Sequence, residues 1–111
     1  MRKARALAIS AALGAAALAG AGPAAALDAR AQRGLTFART HCAQCHAIGR
    51  AGPSPLAKAP AFRTLHTRYP VEDLAESFAE GIVTGHPTMP EWRLDPAQIG
   101  DLLAYLRSLE D

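Results

Sequence analysis

The residues best suited to chemistry stand together in His41-Cys42-Ala43-Gln44-Cys45-His46, which holds the only two cysteines of the 111-residue chain. Two thiols three positions apart at a helix end can each add to one of the two vinyl groups of a haem, and the imidazole that follows is then carried under the iron. C-x-x-C-H is the spacing this attachment uses. Other uses of the pair fit less well. A thiol–disulfide exchange motif needs a βαβ setting, whereas the pattern around these cysteines is helical. A structural zinc ion needs four ligands; Cys42, Cys45 and His46 offer three, and there is no second cysteine pair. A plain disulfide in an oxidising compartment is the remaining alternative.

An iron held by His46 wants a second axial ligand on its other face. Besides Met1, Met89 is the only methionine, and it lies far along the chain in the Gly- and Pro-rich residues 85–90. A gap-filling methionine belongs on a helical face. Met89 instead stands between Thr88 and Pro90 in a stretch built as a fixed loop, so thioether ligation is expected. His86, three residues away, is the rival and would give bis-histidine coordination; a hydrogen-bonding loop histidine is its simpler role. His41 and His66 read as surface residues.

The elements that must position these groups begin late in the chain. Arg2, Lys3 and Arg5 precede an uncharged apolar run over 6–21, then Gly22-Pro23 and Ala24-Ala25-Ala26. Basic start, apolar middle and small-residue site in that order describe a secretory signal peptide, with cleavage expected after Ala26. The run is dominated by Ala and Gly, too weakly apolar for a retained membrane span, and no cysteine near the site allows a lipid anchor. Residues 1–26 are therefore expected to be the signal peptide and 27–111 a single exported, periplasmic domain.

Without the leader, nine basic and ten acidic residues remain, so the net charge of +2 reflects the export signal and not a nucleic-acid surface. Residues 27–69 carry seven bases and one acid, and 70–111 carry two bases and nine acids. A domain this small buries proportionally little surface and usually needs a disulfide, metal or large cofactor as a staple.

The periodicity predicts an all-helical domain. Asp28 caps a helix with Ala31, Leu35 and Ala38 on one face, ending at the cysteine motif. Residues 47–60 hold Pro53, Pro55 and Pro60 and must be loop. Phe62, Leu65 and Tyr69 suggest a short helix stopped by Pro70; 71–80 reads as a helix burying Leu74, Ala75 and Phe78, with Gly81 as terminator. The last helix has the fullest signal. Asp95 is its N-cap, Pro96 its first residue and Gln98 completes a capping box, with Leu94 and Ile99 as a hydrophobic staple and a stripe of Ile99, Leu102, Leu103, Leu106 and Leu109.

Gly34 and Phe37 ahead of Cys42-Ala43-Gln44-Cys45-His46, the segment Gly85-His86-Pro87-Thr88-Met89-Pro90, and Asp101-Leu102-Leu103-Ala104-Tyr105-Leu106 resemble the motifs of class I c-type cytochromes. The resemblance spans nearly all of residues 27–111. It implies an all-α cytochrome c fold of three to four helices and loops around one covalently bound haem c. The first and last helices would cross near Gly34 and Tyr105, and His46 and Met89 would be the axial ligands. It further implies a proline carbonyl on the free ring nitrogen of His46, from Pro53 or Pro55, with Pro55 favoured. Phe37, Phe78 and Tyr105 read as ordinary core, and Trp92 as either core or a cover for the haem.

The function implied is a monomeric periplasmic carrier of single electrons between donor and acceptor proteins. Six-coordinate iron leaves no open position for a substrate, so no enzyme activity is expected. The alternatives are a haem-binding sensor or enzyme with a labile sixth ligand, and a dedicated cytochrome subunit of a periplasmic dehydrogenase.

Overall fold

In the computed structural model of the chain, the described residues are 3, 4, 6–14, 27–83 and 86–110. The expected cleavage site after Ala26 and residue Gly85 lie outside them. Leu7, Ile9 and Leu13 are almost wholly exposed and take no part in the core. Among the described residues, no helix is long and apolar enough to cross a membrane.

Three α-helices and two 3₁₀ segments make the domain: α1 (Ala29–His41), α2 (Leu74–Glu80) and α3 (Pro96–Ser108), with 3₁₀ segments Phe62–Thr67 and Val71–Asp73 before α2. The all-α expectation holds, and the described residues show only one isolated antiparallel bridge, Ile82 with Trp92. The long helices start as their sequences dictate. Asp28 Oδ1 accepts from Ala31 N–H at 2.8 Å. At α3 the capping box is complete: Gln98 N–H donates to Asp95 Oδ1 at 2.8 Å, and Asp95 N–H to Gln98 Oε1 at 3.1 Å.

α1 packs against α3. The buried face of α1 is Ala31, Gly34 and Ala38, where periodicity had pointed to Leu35, which is only partly buried. Small residues win this face because the helix backbones approach closely. A Cβ at Gly34 would collide with the Asp101 carbonyl and stand 2.8 Å from Tyr105 Cβ. Outside the contact, Arg33 clamps Asp101 bidentately at 2.9 and 3.1 Å. α3 contributes Leu102, Leu103, Tyr105, Leu106 and Leu109 to the core, joined by Phe62, Leu65, Val71, Leu74, Phe78 and Leu94.

The expected helix through Tyr69 is shorter and tighter. A 3₁₀ turn has three residues, so Phe62 and Leu65 eclipse on the buried side while Tyr69 lies past the end, exposed. Thr64 and Thr67 hydroxyls donate to Ala61 O and Thr64 O at 2.7 and 2.6 Å, bonds that tighten the turn. The helix expected over 71–80 likewise opens as a 3₁₀ turn after Pro70, and α2 then buries Leu74 and Phe78. Gly81, at φ +104°, ends α2 in a conformation that an L side chain rarely adopts.

Candidate cofactor site

His41 closes α1, and the cysteine motif leaves the helix as a turn. Cys42 and Ala43 N–H both donate to Ala38 O, at 2.8 and 2.9 Å, and Cys45 and His46 N–H return to Cys42 O at 3.2 and 3.0 Å. The two thiols are thereby carried on one tight turn, and both are free and half-buried. Burial pushes the Cys42 thiol up to about 11. Among the described residues, no three His, Cys, Asp or Glu side chains converge to hold a metal ion.

Residues 47–60 fold back beneath the motif. Leu56 N–H donates to Cys45 O at 3.0 Å, Phe62 N–H to Ala47 O at 2.9 Å, and Ala47 N–H to Ser54 Oγ at 2.9 Å. This return brings the Pro60 carbonyl to 2.7 Å from His46 Nδ1. The expectation of Pro53 or Pro55 is therefore corrected to Pro60. The loop needs the additional residues to turn under the motif and re-enter at Phe62, whose ring lies 5.0 Å from that of His46. Nδ1–H donated to a carbonyl fixes the tautomer and leaves Nε2 as the metal-binding atom.

Cys42, Cys45, His46 and Met89 line a single cavity of about 570 Å³. The walls are mainly apolar: Phe62 and Leu65 from the 3₁₀ turn, Leu74 and Phe78 from α2, Leu102 and Leu106 from α3. Met89 enters from the loop that follows α2. The neck of that loop is closed by Ile82 N–H donating to Trp92 O at 3.0 Å and Leu94 N–H donating to Phe78 O at 2.8 Å. Arg93 caps α2 from the same side, donating to Glu80 O at 2.9 Å.

The structure thus brings together the four expected site residues, which the sequence spreads from 42 to 89. It also adds residues that periodicity could not place. His41 and His66 are exposed as expected, yet the His41 ring lies 4.6 Å from Phe37 and 5.2 Å from Trp92. Phe37, expected in the core, is half-buried in this aromatic group at the cavity edge. Trp92 is partly buried against the core and also lines the cavity. Tyr105 is buried and donates to Ile48 O at 2.5 Å, tying the loop after the motif to α3. Ser54 carried no sequence signal beyond its place among prolines.

A haem fits these residues. Two thiols on one turn and an imidazole fixed by the Pro60 carbonyl line one mainly apolar cavity.

A family model described as Cytochrome c matches residues 31–110. The chain is also 32% identical over 84 residues to cytochrome c-552 of Bradyrhizobium diazoefficiens, an overlap covering 76% of this chain and 79% of that relative. No solved structure matches it significantly.

Proposed function

The chain belongs to the cytochrome c family, with covalent haem c as its cofactor and a role in electron transfer, and on that premise we propose that it is an exported, periplasmic, monomeric electron carrier with His46 and Met89 as axial ligands. The observation that carries the reading is the shared cavity: an imidazole whose Nδ1 is taken by Pro60 and a thioether from a distant loop line the same apolar space as both thiols. The haem supplies one-electron chemistry at its iron.

Everything else is the work of the chain. Cys42 and Cys45 would attach the cofactor. Pro60 holds the His46 ring and raises the basicity of its other nitrogen. The apolar walls would keep water from the iron, and the His46 imidazole and Met89 thioether, both neutral donors, would serve either oxidation state with little rearrangement. Residues 1–26 would direct export and be removed after Ala26, and the partners would be redox proteins acting as donor and acceptor. No step here asks the protein for enzymatic catalysis.

Absorption spectra of the haem-matured protein, oxidised and reduced, test the ligand set. A thioether-to-iron band in the oxidised form and exclusion of carbon monoxide from the reduced form are expected. A high-spin ferrous spectrum that shifts at once with carbon monoxide would contradict the carrier reading. Mass spectrometry of the periplasmic protein tests the leader, with Leu27 expected as the first residue.

A further inference from the structure

The turn that carries Met89 carries a second donor. His86 is half-buried and lines the same cavity. Met89 N–H donates to His86 O at 3.1 Å, so the two residues are the ends of one tight turn. Thr88 Oγ1 lies 2.8 Å from His86 Nδ1. With the ring proton on Nδ1 and donated to that hydroxyl, the lone pair is on Nε2, the form in which a neutral imidazole binds a metal. Pro87 and Thr88 at the tip of the turn are exposed, so the turn can shift without repacking a helix. His41 also lines the cavity, but its ring is stacked on Phe37 and Trp92 at the end of α1, which leaves His86 as the histidine on a movable element.

We propose that His86 is a standby axial ligand, whose imidazole takes the iron when the thioether of Met89 leaves it. The inference rests on the His46 and Met89 reading above. One neutral donor replaces another: an iron–sulfur bond breaks, an iron–nitrogen bond forms, and no proton or electron is exchanged. A soft thioether favours ferrous iron and imidazole serves ferric iron better, so the exchange is favoured in the oxidised protein. Its effect is to keep small ligands off the iron while the loop is loosened.

The test compares wild type, His86→Ala, Met89→Ala and the double variant, all as haem-matured protein, by absorption and electron paramagnetic resonance spectra and by carbon monoxide titration of the reduced forms. His86→Ala should keep the wild-type spectrum. Met89→Ala should be low-spin with bis-imidazole features and bind carbon monoxide at least about tenfold more weakly than the double variant, since only the fraction with His86 displaced is open. Identical spectra and carbon monoxide affinities for Met89→Ala and the double variant would overturn the standby role. A wild type that already shows bis-histidine features, lost in His86→Ala, would instead overturn Met89 as resident ligand, and the standby role with it. A second comparison needs no Met89 variant: Met89 is oxidised to the sulfoxide in wild type and in His86→Ala. Low-spin iron retained in the first and lost in the second is expected; equal loss in both refutes the proposal.

Discussion

The crossing of α1 and α3 and the loop over residues 82–92 hold opposite positions in this molecule. The crossing joins two capped helices through small residues on one side and a leucine-rich face on the other, with Arg33 and Asp101 clamped outside it. The described residues of the loop form no helix, expose Val83 at its start, and are joined to the rest by backbone hydrogen bonds at the neck. His46 follows directly from the rigid region and is held at Nδ1; Met89 sits in the soft one. Packing is thus concentrated beside His46, while the segment that carries Met89 is tied in by backbone hydrogen bonds at its neck.

The largest expected effect comes from breaking the crossing. Gly34→Leu would drive a side chain into the Asp101 carbonyl and Tyr105, and is expected to destabilise the haem-matured protein by about 3 kcal/mol or more, measured by thermal unfolding. If it loses no more than a loop variant does, the crossing is not where stability lies. Met89→Ala should come next, lowering stability by about 2 kcal/mol through lost packing and lowering the reduction potential in voltammetry, because the ligand that favours ferrous iron is gone. Its loss should appear in hydrogen exchange of the Ile82 and Leu94 amides while those of α1 stay protected.

Asp95→Ala removes the acceptor for Gln98 N–H and should reduce stability by about 1 kcal/mol in urea unfolding, without touching the potential. The smallest effect is a pH dependence at Tyr105. Burial raises its phenol above the ordinary value of 10.0, against the lowering pull of Arg39 and Arg50. The folded chain therefore holds that proton more tightly than the unfolded chain does. This contribution is fully present below pH 10.0 and is lost as pH rises through the folded value. Tyr105→Phe should flatten the alkaline fall in stability seen by urea unfolding.

Much of this arrangement was legible in the sequence, for local reasons. Asp28, and Asp95 with Pro96 and Gln98, act within a single helical turn, so their roles need no tertiary information. The cysteine motif is equally local. The Pro60 bond to His46 was missed because three prolines share residues 47–60, and only the path of the folded loop decides which carbonyl arrives. On α1, Ala31 and Ala38 are buried as their spacing predicts, and only Leu35 is less buried than hydrophobicity suggests, because the close approach of a second backbone favours Gly34. Phe37, His41 and Trp92 come from three separate stretches of pattern, and nothing in their spacing announces that they meet.

The crossing also sets an order of events. α3, which completes it, occupies Pro96–Ser108 and follows the other described elements in chain order. Until it arrives, α1 has no partner for its small-residue face, and closure must wait for contacts across nearly the whole domain. The cavity is incomplete until that contact forms, because Leu102 and Leu106 of α3 are two of its walls.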